Sequence, residues 1–198
     1  MTSSSSTNRT LIHTRDIKTQ AFRRDDGLWD VEATLLDVKD KDFHLASGVK
    51  PKGQAIHRMV LTVTIDTEFN IVDAHAKTHD APYDDHCKTI EPDYKKLVGL
   101  NLVNGFRGAV KERLSGISGC SHMTELCSVL PTVAIQAFAG EIFKVVDHGS
   151  GTMPFQLNRC HALRTDGETV KMYHRAWFGA PLTPVEMPKK ESQPLKKR

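Results

Sequence analysis

Cysteine is scarce in this chain: four in 198 residues are too few for a disulfide framework, which leaves the thiols free for packing, metal binding or nucleophilic work. Long apolar runs are missing too, and none approaches the roughly 20 residues that a bilayer-spanning helix needs, so no membrane role is expected. The Ser/Thr-rich start has no apolar stretch behind it and does not read as a secretory signal, so a cytoplasmic address is expected. An excess of one sign of charge is nearly absent: the formal net charge is +3, and the segment from Pro184 to Arg198 accounts for all of it. The remaining body is neutral and offers no footprint for a nucleic-acid partner. Recognisable chemistry motifs are also missing. There is no P-loop, no dinucleotide fingerprint, no Gly-x-Ser-x-Gly elbow, no Cys-x-x-Cys pair and no His-Glu-x-x-His, which disfavours nucleotide hydrolysis, Rossmann cofactors, α/β-hydrolase chemistry and standard zincins.

What is present suffices for one sizeable core. The expected organisation is a loosely attached arm over 1–20, a single domain over 21–180 and a basic, proline-containing tail over 181–198. Trp29, Val31, Ala33 and Leu35 alternate with Asp30, Glu32 and Thr34, the period of a half-buried strand. Met59, Leu61, Val63 and Ile65 repeat it over 56–65, with His57 on the apolar face, and a third strand is expected over about 71–78. The charged stretch 40–53 reads as a loop. Leu102, Phe106, Val110 and Leu114 recur every four residues and predict a helix ending near Gly116. A second helix is expected after Gly119, with Ser121 as its N-cap and Met123, Leu126 and Leu130 as its core stripe. The segments 155–163 and 170–178, around Asp166-Gly167, read as a last hairpin. Strands and helices in separate blocks predict an α+β domain: an antiparallel sheet of about five strands packed on two or three helices.

Sulfur and imidazole are the remaining chemistry. Cys120 sits where a glycine-flanked loop meets a helix start, a place that favours thiolate, and His122 follows two residues later. Cys87 closes a loop containing Asp80, Asp84, Asp85 and His86. Cys87, Cys120 and His122 would make three ligands for a zinc or iron ion if the fold brings them together. Cys120 as nucleophile, with His57 or His122 as base, is the metal-free alternative. A third reading makes the cysteines core residues of a non-catalytic binding module. His57 and His174 lie on apolar faces, where a core histidine with one hydrogen bond is the commonest meaning. Cys127 reads as packing, Cys160-His161 as a strand pair, and Asp37 and Asp66 as ordinary turn carboxylates.

Several blocks together carry a family resemblance: Gly27 to Ala33, Ile56-His57-Arg58-Met59, Ile65-Asp66, the isolated Cys87, Leu97-Val98-Gly99, Gly119-Cys120-Ser121-His122 through Leu126, and Cys160 through Gly167. Over about residues 9–178 the chain resembles the bacterial domain-of-unknown-function family numbered 2889. The resemblance implies functional positions at His57, Cys87, Cys120 and His122, while His174 stands where the pattern has proline. A weaker similarity, carried by 71–78, Cys87 and the Cys120 helix start, is to NifU-type iron-sulfur scaffolds; it implies a cysteine site for zinc or a cluster. The cysteine that precedes the second strand in those scaffolds is missing here. The expected function is a metal-centre protein acting on a small-molecule substrate, or a carrier handing metal to an accepting protein.

Overall fold

The computed structural model describes residues 7–143 and 151–185. Six strands precede the helices: β1 (His13–Arg23), β2 (Trp29–Lys39), β3 (Phe43–Leu45), β4 (Gly48–Lys50), β5 (Ala55–Ile65) and β6 (Ile71–Asp80). The fold class is α+β. Four strands form one antiparallel sheet in the order β1-β2-β5-β6, and β3 and β4 make a separate small hairpin inside the expected loop. The helices are α1 (Asp84–Cys87), a tight 3-10 segment (Lys88–Leu97), α2 (Phe106–Leu114), α3 (Ser121–Cys127), α4 (Leu130–Phe138) and α5 (Glu168–Tyr173). None of the helices among the described residues is long and apolar enough to cross a membrane.

The apolar alternation decides which face of the sheet is covered. Trp29, Val31, Ala33 and Leu35 of β2 and Met59, Leu61, Val63 and Ile65 of β5 are buried on one side, together with Tyr94, Leu97, Phe106, Val110, Leu114, Met123 and Leu126 from the helical half. Such a one-sided row is what period-two patterning produces when a sheet packs on helices.

The expected arm over 1–20 is corrected by β1, which pairs with β2 along its whole length, from His13 opposite Lys39 to Arg23 opposite Trp29. Its side chains are mostly exposed, so the strand rests on ladder hydrogen bonds rather than on apolar burial, and no hydrophobic period marks it. The connection closes at Gly27, whose φ of +85° suits a residue without a side chain.

The chain forms two compact units, divided between Ala134 and Ile135. The second unit has its own buried Phe138, Phe143, Phe155, Leu157 and Val170, with edge-to-face contacts from Phe143 to both Phe138 and Phe155. The expected last hairpin is not formed. Its residues make short turns and α5 instead, where Val170 is buried while Met172 and Tyr173 stay exposed, so the alternating face has nothing to cover it. From residue 186 the expected basic tail lies outside the described residues.

Candidate metal centre

The buried row of β2 ends in a charge. Asp37 continues the series Trp29, Val31, Ala33, Leu35 and is only 1% exposed, an uncommon place for a carboxylate unless it is paired. Register supplies the partners: Arg15 lies directly across from Asp37 on β1, and His57 directly across on β5, so three adjacent strands present guanidinium, carboxylate and imidazole side by side. The β2–β5 ladder slips between Asp37 and Val38, a local irregularity of the kind that re-aims side chains at sites.

Arg15 grips the carboxylate with both prongs. Its Nε donates to Asp37 Oδ1 and its Nη2 to Oδ2, each at 2.7 Å, while Nη1 donates to Glu125 of α3. His57 Nδ1 lies 2.9 Å from Oδ2, and His13 Nε2 lies 3.3 Å from Oδ1. His122, in the first turn of α3, stacks on His57 with ring centroids 3.8 Å apart and planes inclined by 30°. Its Nε2 points toward Asp37 Oδ2 at 3.8 Å. The opposite nitrogen, Nδ1, faces Cys120 Sγ at 3.9 Å and Ser121 Oγ at 3.4 Å.

Helix α3 is held in place from behind. Cys120, not Ser121, is its N-cap residue, and no side chain of the helix caps it. The Cys120 N–H donates to the Tyr94 hydroxyl at 3.1 Å, and that hydroxyl lies 3.0 Å from both the Cys120 carbonyl and Thr124 Oγ1. Gly119 has ordinary extended backbone, but a Cβ there would sit 2.1 Å from the Leu114 carbonyl oxygen. Close approach of two backbones therefore fixes glycine at the entrance to α3.

Electrostatics follow from this packing. Burial alone would push Asp37 toward the neutral acid, but hydrogen bonds from Arg15 and His57 outweigh it and hold the carboxyl below its usual range. His57 is lowered by burial, with Asp37 opposing. His122 is lowered by burial first, then by the neighbouring His57 and Arg15. Both imidazoles are thereby biased to the neutral form, the form that binds metal.

Among the described residues, the group of potential ligands whose donor atoms all lie within 4.8 Å of one another is Asp37, His57 and His122. Two of the anticipated functional residues, His57 and His122, therefore meet. Cys120 stands beside them on the far nitrogen of His122. Cys87 ends α1, half-buried, and belongs to no such group among the described residues. All four thiols are free; Cys127 is buried with its pKa pushed up to about 12, and Cys160 is exposed. His174 caps the end of α5 in the second unit.

Asp37 and Arg15 were missed by sequence reasoning. A carboxylate after an apolar run reads as a turn, and Arg15 lies in a segment without period. The available signal was the alternation itself: carried one step beyond Leu35, it puts an acid on the buried face.

No curated protein and no solved structure matches the chain, so the similarity to NifU-type scaffolds gains no support. The family described as "Protein of unknown function (DUF2889)" matches residues 13–136, more than half of the chain and every residue from Arg15 to Glu125 just described, and the chain belongs to that family.

Proposed function

We propose that this protein is a metal-dependent enzyme in which Asp37, His57 and His122 hold one zinc or iron(II) ion against a small organic substrate. The observation that carries the reading is the convergence of one carboxylate and two imidazoles within 4.8 Å. Metal–ligand bonds of about 2.0–2.2 Å in tetrahedral array set ligand atoms about 3.3 Å apart. Two edges of the triangle, 2.9 Å from Oδ2 to His57 Nδ1 and 3.8 Å to His122 Nε2, bracket that value. Two imidazoles and a carboxylate leave coordination positions open, as in catalytic zinc and non-haem iron sites.

A bound cation would supply Lewis acidity, polarising a substrate oxygen or lowering the pKa of a water. The chain's own side chains prepare for it. Arg15 keeps Asp37 ionised and aimed, and with Glu125 it leaves the cluster one net negative charge when the imidazoles are neutral. Cys120 and Ser121 engage His122 Nδ1, which orients the ring and leaves Nε2 toward Asp37.

The test is elemental analysis of protein purified without chelator or affinity metal, followed by titration with zinc and, anaerobically, with iron(II). About one ion per chain is expected, lost in Asp37→Asn and His57→Ala and retained in Cys87→Ser. A wild-type protein that takes up neither ion defeats the reading.

One further observation favours a second reading. Cys120 Sγ, His122 and Asp37 form a chain with gaps of 3.9 and 3.8 Å, the order of a thiol nucleophile, its base and an orienting carboxylate. Iodoacetamide labelling of metal-free protein separates the two. Rapid alkylation of Cys120 at neutral pH that slows in His122→Ala supports the thiol enzyme.

A further inference from the structure

The sheet has an open side. Strand β1 lies at one end of the order β1-β2-β5-β6, and no strand among the described residues pairs with its outer edge. Which backbone groups are free follows from the ladder. Asp40 N–H donates to the Ile12 carbonyl, in line with the His13–Lys39 register, so the even-numbered residues of this strand direct their N–H and C=O groups to β2. The odd-numbered residues His13, Arg15, Ile17, Thr19 and Ala21 direct theirs outward. Eleven residues of exposed edge are a template for another strand.

We propose that the occupant of this edge is β1 of a second copy, antiparallel and centred on Ile17, giving a dimer with a continuous eight-stranded sheet. The outward-facing odd residues must pair with odd residues, which leaves few symmetric registers. Centring on Asp16 or on Lys18 sets like charges face to face. Centring on Ile17 sets Asp16 opposite Lys18 of the other copy, twice over, and neither has an ion pair among the described residues. The same register places Ile17 against Ile17 at the axis and Ile12 against Phe22 at both ends. These three side chains are 36%, 49% and 46% exposed, large apolar groups that the isolated chain leaves in water. Charge, apolar surface and backbone polarity thus select one register. Two-fold pairing of one edge with itself is the closed arrangement most soluble oligomers use.

Arg15 stands two residues from the axis and also holds Asp37, so pairing steadies the strand that braces the candidate site. The dimer itself does not depend on what that site binds.

Sedimentation equilibrium of the full-length protein over a range of concentrations tests this. The wild type is expected to be dimeric. Ile17→Pro deletes an outward N–H and spares every β1–β2 hydrogen bond, so a folded monomer is expected. Asp16→Lys sets like charges opposite each other and should weaken the dimer by about tenfold or more. The double exchange Asp16→Lys with Lys18→Asp should restore it, an outcome that holds even if the proline variant does not fold. A monomeric wild type overturns the proposal. So does a dimer indifferent to the charge reversal, since another surface would then be responsible.

Discussion

Asp37 and His57 are direct cross-strand neighbours, 2.9 Å apart between Oδ2 and Nδ1, at the end of the buried apolar rows Trp29 to Leu35 of β2 and Met59 to Ile65 of β5. Removing the guanidinium on the other side of Asp37 leaves a buried carboxylate held by imidazoles alone. Arg15→Ala is expected to destabilise the protein by about 3 kcal/mol, and Arg15→Lys to recover only part, because an ammonium cannot make the paired contact. In Asp37→Asn the loss on removing Arg15 should shrink. Urea unfolding of the four proteins of this cycle measures it.

Alkaline pH should weaken the fold through two buried groups. Tyr94 is raised from 10.0 to about 12 and Cys127 from 9.0 to about 12, burial being the main cause for each. The native state therefore keeps protons that the unfolded chain has already released. Their contribution is intact below about pH 9 and is lost as pH rises toward 12. Unfolding free energies between pH 8 and 11.5 should fall, and Tyr94→Phe should flatten the part of the slope that begins near pH 10.

Gly119→Ala should damage the entrance to α3 more than a surface substitution would. The new methyl group meets a backbone carbonyl, which has no rotamer to change, so Cys120 and His122 must move with the chain. A loss of about 2 kcal/mol or more is expected, along with weaker metal uptake, by thermal unfolding and zinc titration.

The thiols separate by position. Cys127→Ala removes a buried sulfur near the Met123 carbonyl and should cost about 1 kcal/mol without touching metal content. Cys120→Ser should lower zinc affinity by about tenfold, the size expected for a group that orients a ligand from behind. If catalysis ran through the thiol, the same change would abolish turnover outright.

The parts of the fold legible in sequence were those where one face is buried. Period two marks β2, β5 and β6, and a four-residue recurrence marks α2, because water is excluded from one side of each. Strand β1 has exposed side chains on both faces, so its composition resembles a loop even though its inner edge pairs with β2 along the whole strand. The segment 155–178 failed for the opposite reason: Val170, Met172 and His174 alternate, yet only Val170 meets a core. In the site, His57 and His122 stood out as residue types with chemistry. Asp37 did not, since its meaning comes from Arg15 and His57, 22 and 20 residues away, through a register no local pattern encodes.

The ion pair from Arg15 to Glu125 spans 110 residues of chain. Hairpins such as β1–β2 close through short turns and can form early, whereas α3 reaches the sheet only after a long loop has been brought together, a slow step in folding. A newly made chain can therefore display its strands, with Asp37 held by Arg15, before either His122 or Glu125 arrives. Any ligand that needs His122 binds the finished first unit and not such a precursor, so by mass action it draws the chain to completion.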